Sequence, residues 1–287
     1  MPAFPMTAAC WTKKTGRSKS AEARESTRLD VAVAAAGGIS RERAQALILA
    51  GAVRVDGETR RKPSVTVPRA ATIEILARQR FVSRGALKLE RALDVFDWPV
   101  EGLRCLDVGA STGGFTDCLL QRGAACIVAV DVGYGHLAWS LRNDPRVTLF
   151  ERTNFRNAEV SALGAPFAFA CADVSFISLV KLATKLSEAL AQRAKVVALV
   201  KPQFEVGREA VERGGVVRSA ASQAEAIERV MKAFASSGIG TQQLTHSPIK
   251  GPAGNIEFLL GGVKDARAVT RLDIEGVVRA AHEALDR

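Results

Sequence analysis

No apolar run in this sequence approaches the ~20 residues that a membrane span requires. The N-terminus has no apolar core of the kind a secretory signal uses, so export is not expected. Metal-type cysteine pairs are missing as well. The five cysteines are Cys10, Cys105, Cys118, Cys126 and Cys171. None forms a Cys-x-x-Cys pair, and four lie in or beside apolar runs. They read as small buried hydrophobes in a reducing compartment, with neither disulfide nor zinc. These absences argue against a membrane-spanning protein, a disulfide scaffold and a zinc module. The expectation is a cytoplasmic protein with no metal and no membrane partner.

The chain that remains is of globular type, 47% apolar and 24% charged. At 287 residues it has room for one large domain and a small one. Its net charge of +10 is unevenly placed. Residues 1–26 carry five basic and two acidic side chains, and residues 27–80 carry ten and five. The other 207 residues hold only +2. Positive charge gathered at one end points to an anionic partner there, nucleic acid first. A solubilising surface is the plainer alternative.

The most informative stretch is residues 103–115. Residues 105–108 form a short apolar run that breaks at Gly109. Ala110, Ser111 and Thr112 follow, then Gly113 and Gly114, and a helical apolar pattern begins at Phe115. This order predicts a strand, a glycine-rich turn and a helix N-terminus. Glycines there let a ligand approach the backbone, and free N–H groups at a helix start attract a carboxylate or phosphate. A second apolar run, residues 127–130, ends in Asp131. A carboxylate at that strand tip can accept hydrogen bonds from both ribose hydroxyls of an adenosine cofactor. The glycine spacing is not that of a dinucleotide fingerprint, and Asp107 just before the turn is a poor neighbour for pyrophosphate. The run Asp-Val-Gly-Ala-Ser-Thr-Gly-Gly-Phe instead resembles motif I of S-adenosylmethionine-dependent methyltransferases. That cofactor has no phosphate, so a carboxylate near its cationic end is tolerable. A turn in some other α/β protein is the plainer alternative.

In chain order, residues 1–26 are rich in Lys, Arg, Ser, Thr and Ala and are expected to be a disordered basic tail. Residues 27–80 make a small basic α+β module. A helix starts at Arg28 and stops at Gly37 and Gly38. Ser40 caps a second helix over residues 41–50, and residues 53–57 form a strand entering an Asp-Gly turn. Arg-Leu-Asp, Ser-Arg-x-x-Ala-x-x-Leu-Ile and Gly-x-Val-x-Val-Asp-Gly resemble the small RNA-binding domain first named for a ribosomal protein. The resemblance implies that the second helix and the loop beyond it face RNA. Arg41, Arg43, Arg54, Arg60, Arg61 and Lys62 are then candidate phosphate contacts. Each taken alone is an ordinary solvated arginine or lysine.

Residues 81–287 are expected to form the large domain. Ser83 caps a helix reaching about Phe96, with Lys88 among its apolar positions. Strands are expected near 103–108, 126–130, 147–150, 167–172, 195–200, 241–246 and 256–261. Helices fall near 114–122, 136–142, 178–191, 220–237 and 271–286. Such alternation implies a mostly parallel sheet with helices on both faces and an antiparallel last strand, a Rossmann-like α/β fold. In these sheets ligands bind beyond the C-terminal strand ends. Asp173 and Lys201 end the fourth and fifth strands, and Glu257 enters the last. With Lys88 they make a Lys-Asp-Lys-Glu set.

That set resembles the tetrad of FtsJ-like 2′-O-methyltransferases, which act on ribose in RNA. Val-Ser-Arg-Gly-Ala-x-Lys-Leu, Gly-Ala-Ser-Thr-Gly-Gly-Phe-Thr, Asp-Val-Gly-Tyr-Gly-x-Leu, Asp-Val-Ser-Phe-Ile-Ser-Leu, Leu-Val-Lys-Pro-Gln-Phe-Glu and Gly-Asn-x-Glu-Phe-Leu narrow it further. They resemble the TlyA family of ribosomal RNA 2′-O-methyltransferases, many of them labelled hemolysins. The resemblance runs from Arg28 to about Leu260. It implies S-adenosylmethionine at Asp107, Gly109, Ala110, Ser111, Thr112, Gly113, Gly114 and Asp131, with Asn154 a candidate for the adenine. It implies ribosomal RNA or a ribosomal subunit as partner. Two roles are open to Lys201, stabilising a developing 2′-oxyanion or taking its proton. Asp173 orients it, and Lys88 and Glu257 fix the target ribose. Phe176 either touches the target nucleotide or fills the core. Asp173 as a helix cap and Lys201–Glu257 as a surface ion pair are the structural alternatives.

Three other functions are open at this point. A methyltransferase acting on an exocyclic base amine tends to carry Asn/Asp-Pro-Pro-Tyr/Phe after strand four, where this chain reads Asp173-Val174-Ser175-Phe176. A membrane-lytic protein needs a spanning or strongly amphipathic apolar segment. A non-catalytic RNA-binding or assembly factor needs no tetrad.

Overall fold

The computed structural model describes residues 26–76 and 80–286. The expected tail lies outside the described residues except for Ser26, as does Cys10. The chain forms two compact units, Met1–Gln79 and Arg80–Arg287.

The first unit contains β1 (Ser26–Arg28), α1 (Leu29–Gly37), α2 (Arg41–Leu49), β2 (Val53–Val55), β3 (Glu58–Thr59), β4 (Thr66–Pro68) and β5 (Ile73–Ile75). α1 ends because Gly38 takes the left-handed conformation, φ 60°. Ser40 caps α2, its Oγ accepting from the Arg43 N–H at 3.2 Å. Asp56 and Gly57 both have positive φ, the geometry of a two-residue hairpin, and they join β2 to β3. Leu29, Val33, Ala44, Ile48, Val53, Val55 and Val67 form the core. The helix expected from Arg28 begins one residue later. Arg28 is extended because β1 pairs antiparallel with β4, a partner far along the chain that no local pattern announces.

The second unit contains α3 (Ala86–Phe96), β6 (Arg104–Val108), α4 (Gly114–Gln121), β7 (Cys126–Val130), α5 (Trp139–Arg142), β8 (Val147–Phe150), β9 (Phe167–Ala172), α6 (Ala183–Ala189), β10 (Leu190–Val200), α7 (Pro202–Glu205), α8 (Ala220–Ser236), β11 (Ile239–His246), β12 (Phe258–Lys264) and α9 (Ile274–Leu285). One sheet runs in the order β11-β12-β10-β9-β6-β7-β8. β6 to β10 are parallel neighbours, and β12 is antiparallel to both β10 and β11. Alternate residues of each central strand feed opposite cores. Leu106 and Val108 face the core that includes residues of α6, α8 and α9. Cys105 faces the core that includes residues of α3 and α4.

Two helical expectations need correction. The helix expected over 178–191 is broken. Leu179–Lys181 is a single 3₁₀ turn, α6 covers only Ala183–Ala189, and Leu190 already pairs with Phe167 in the sheet. Ser83 does not cap α3. The N-cap is Gly85, with no side-chain hydrogen bond, and Ser83 offers its carbonyl to the Ala86 N–H in a turn ahead of the helix.

The chain order moves outward from β6 through β7 to β8, then crosses to β9 on the other side of β6. A crevice opens at that reversal, beyond the strand ends. The backbone is tightly drawn there. The Asp173 N–H donates to the Val108 carbonyl at 2.9 Å. Gly109 has φ +84°, and a Cβ on it would strike the Asp173 carbonyl oxygen, so only glycine fits.

Candidate active site

The crevice is a cleft of about 320 Å³. One wall is the turn after β6, with Gly109, Ala110, Ser111, Thr112 and Gly114. The cleft is also lined by Lys88, Asp173, Ser175 and Lys201, and by Arg84 and Lys250.

Four elements deliver the charged group. Lys88 sits on the buried stripe of α3 with Leu89, Ala92 and Phe96, so it faces inward rather than snorkelling. Lys201 follows β10, and Asp173 follows β9 beside it. Glu257 immediately precedes β12. Because β12 runs antiparallel to β10, with Phe258 opposite Val200, its start lies at the same sheet edge.

The charges pair in two bridges. Lys201 Nζ lies 2.6 Å from Asp173 Oδ1 and donates to Ser175 Oγ at 2.9 Å. Lys88 Nζ donates to Glu257 Oε2 at 2.5 Å. Lys88, Lys201 and Glu257 are all buried. The structural alternatives therefore fail. Lys201 and Glu257 are not a surface pair. Asp173 caps no helix, since Ser178 Oγ accepts from the Val180 N–H and caps the 3₁₀ turn. Burial raises the Glu257 carboxyl above its ordinary range, while the charge of Lys88 pulls it back.

The cofactor-type residues divide. Asp131 Oδ2 accepts from the Ser111 N–H at 2.8 Å and Oδ1 from the Gly133 N–H at 2.6 Å, which ties the tip of β7 to the turn. Asp107 is sealed beneath the turn, fully buried, and accepts from Thr116 Oγ1 at 2.6 Å. Burial pushes its carboxyl up to about 6. Gly113 is structural, for its φ of +94° starts α4 and a Cβ there would strike Leu141. Asn154 is exposed, and its side-chain carbonyl caps the short turn Phe155–Asn157 by accepting from the Arg156 N–H at 3.1 Å.

Phe176 is not a core residue. It is 92% exposed, has φ 63°, and sets its ring 5.4 Å from that of Phe204. Cys105, Cys118 and Cys171 are buried thiols, and Cys126 is half-buried; all four are free. In the first unit Arg41, Arg43, Arg54, Arg60, Arg61 and Lys62 are all exposed. Arg41 also shares the buried Asp30 with Arg28 and Gln45, and Arg60 pairs with Glu58 at 2.8 Å. Sequence reasoning missed Ser175, Arg84 and Lys250. Ser175 stands inside a recognised motif, two residues past Asp173, but a serine in a loop carries no periodic signal.

Residues 81–264 match the FtsJ-like methyltransferase family, and residues 27–73 match the S4 domain. The chain is 44% identical over 245 residues to the 16S/23S rRNA (cytidine-2'-O)-methyltransferase TlyA of Mycobacterium tuberculosis, covering 84% of this chain and 91% of that one. It belongs to the TlyA family of FtsJ-like methyltransferases. Another relative is Hemolysin A of Brachyspira hyodysenteriae, 40% identical over 77% of this chain and 92% of its own length. A solved structure from Streptococcus thermophilus that also carries a hemolysin name superposes with a TM-score of 0.71. It is 40% identical and covers 91% of this chain and 97% of that one. The TlyA-family chain described here has, among its described residues, no helix long and apolar enough to cross a membrane.

Proposed function

We propose that this methyltransferase moves a methyl group from S-adenosylmethionine to a ribose 2′-hydroxyl of ribosomal RNA. The observation that carries the reading is the pair of lysine–carboxylate bridges whose two buried lysines line the same cleft as the glycine turn. The name of the Mycobacterium tuberculosis relative makes cytidine the first target to test.

The residues fit the cofactor. Gly109 and Gly114 line the cleft without side chains, and each Asp131 oxygen holds one backbone N–H and keeps a lone pair for a ribose hydroxyl. Bound there, S-adenosylmethionine supplies an electrophilic methyl carbon on a cationic sulfur. The chain's own residues manage the nucleophile. A lysine ammonium has three N–H donors; that of Lys201 gives one to Ser175 and pairs by charge with Asp173. Donor capacity remains for the 2′-oxygen as negative charge gathers on it. Lys88 spends one donor on Glu257 and turns the rest to the cleft, where they hold the target ribose. Phe176 offers an exposed ring face to the target nucleotide. The basic residues of the S4 unit take RNA phosphates.

The direct test is incubation with tritiated S-adenosylmethionine and separated ribosomal subunits, followed by digestion to nucleosides. Label on a 2′-O-methylnucleoside supports the reading. Label on a base, or none on RNA, overturns it. Two expected results test its parts. Asp131→Ala weakens cofactor binding about 10- to 100-fold in calorimetric titration, the loss of one or two good hydrogen bonds. Equal affinity removes Asp131 from the site. Reversing charge in an Arg60→Glu, Arg61→Glu, Lys62→Glu variant weakens RNA binding and flattens its salt dependence. The logarithmic slope should fall by about 0.7 for each phosphate that the variant no longer neutralises. An unchanged slope moves the RNA anchor elsewhere.

A further inference from the structure

We infer that Glu205 is a positioning residue: its buried carboxylate clamps the far end of loop 173–178 and so holds Asp173, Ser175 and Phe176 in place for the reaction. The inference rests on the methyl-transfer reading given above.

Glu205 is 4% exposed and sits at the end of α7, the single turn that Lys201 opens. Its Oε2 accepts from Ser178 Oγ at 2.6 Å, and its Oε1 accepts from the Leu179 N–H at 2.8 Å. At the other end of the loop, Lys201 holds Asp173 and Ser175. One short turn, begun by Pro202, thus grips both ends of the loop. Between the grips lies Phe176, a bulky residue at φ 63° whose ring meets Phe204, the residue before Glu205. A phenylalanine persists at positive φ only where its surroundings hold it there.

The clamp has a cost that a purely structural cap avoids. A buried carboxylate is desolvated, and among the described residues no cation forms an ion pair with Glu205. Burial accordingly raises this carboxyl above its ordinary range, against the bonds from Ser178 and Leu179 and the more distant charge of Arg229. Ser178 already caps Val180 without help. The carboxylate adds reach: it ties the loop to the same turn that presents Lys201, so the lysine and its two partners, Asp173 and Ser175, move as one body.

The test compares Glu205→Ala, Glu205→Gln and Ser178→Ala in the full chain. Glu205→Ala should slow single-turnover methyl transfer at saturating cofactor and RNA about 10- to 100-fold, the cost of a misplacement of about 1 Å. Cofactor affinity should stay within about twofold, since the Gly109 turn and Asp131 are not gripped by the clamp. Glu205→Gln should recover most of the rate, because its carbonyl still accepts from Leu179 and its amide meets Ser178. In a double-mutant cycle with Phe176→Ala, the two losses should be clearly less than additive. Hydrogen exchange at the Leu179 and Val180 amides should quicken in Glu205→Ala whatever the activity. Additive losses, or a lower melting temperature with an unchanged transfer rate, would overturn the positioning role. Unchanged exchange would remove the clamp itself. If Glu205→Ala fails to fold, Ser178→Ala, which removes one of the two carboxylate contacts, should show slower transfer and quicker Leu179 exchange to a smaller degree, and an unchanged rate there would overturn the positioning role. Wild-type protein that transfers no methyl group, yet shows the exchange difference, defeats the transfer reading and leaves the clamp standing.

Discussion

Lys201→Ala is expected to abolish methyl transfer while leaving cofactor and RNA binding close to wild type. The lysine sits 8% exposed at the end of a central strand, with its ammonium fixed by Asp173 and Ser175. In this geometry its remaining donor is preorganised for charge that exists only as the 2′-oxygen attacks. An interaction made only in the transition state lowers kcat and leaves ground-state binding alone. Losing such a group typically costs about 10²–10⁴ in rate. Lys201→Arg should rescue little. A guanidinium is larger, and its planar fork does not match two acceptors set around one nitrogen. Asp173→Ala should come close to Lys201→Ala, because the ammonium then keeps only Ser175. Single-turnover methylation at saturating cofactor and RNA, with both binding constants, decides the matter. A Lys201→Ala protein that transfers methyl near the wild-type rate removes the tetrad mechanism.

The elements around that lysine differ in how far sequence could reveal them. The strand, turn and helix across Gly109 were legible because three local signals agree: an apolar run, a cluster of small residues, and a helical pattern from Phe115. The α2 cap at Ser40 and the Asp56–Gly57 hairpin were legible for the same reason, since turn chemistry is local. The tetrad was named from motifs, but its pairing was not. Lys88 and Glu257 stand 169 residues apart, and they meet only because an antiparallel strand inserts beside β10. A lysine in an apolar stripe such as Lys88 is ambiguous between a snorkelling surface residue and a buried one until its partner is known. The broken helix after Ser178 was illegible for a related reason. The pairing of Leu190 with Phe167 overrides the local helical pattern, and Glu205 fixes the 3₁₀ turn from a different element. Phe176 shows the limit from the other side. Composition leaves Phe176 open between core and surface, and only the structure shows it at 92% exposure in a loop held at both ends.

Lys88→Met should destabilise the catalytic unit, and by an amount that depends on pH. Glu257 is 1% exposed; among the described residues Lys88 is the one that hydrogen-bonds its carboxylate, through Oε2, and Oε1 has no hydrogen-bond partner. Removing one partner of a buried ion pair costs about 3–5 kcal/mol, a large share of the ~5–15 kcal/mol that holds a typical domain together. The carboxyl can escape part of that cost by taking a proton. In the wild type, burial already raises it above its ordinary 4.5, and Lys88 pulls it down. Without Lys88 it rises further. A carboxyl raised in the folded state stabilises the fold fully below its unfolded value and loses that contribution as pH climbs through the folded value. The deficit of Lys88→Met relative to wild type should therefore be small near pH 4.5 and grow steadily above it. Urea unfolding midpoints at intervals from about pH 5 to 8 measure this directly. Lys88→Met combined with Glu257→Leu should recover most of the stability and lose the pH dependence, since an apolar pair can replace a buried ion pair at little cost. That double variant should still transfer no methyl group, because the donors facing the target ribose are gone. A deficit that stays constant with pH would mean that Lys88 stabilises the fold through packing alone. Near-normal transfer by the double variant would mean that this bridge serves the fold and not the reaction.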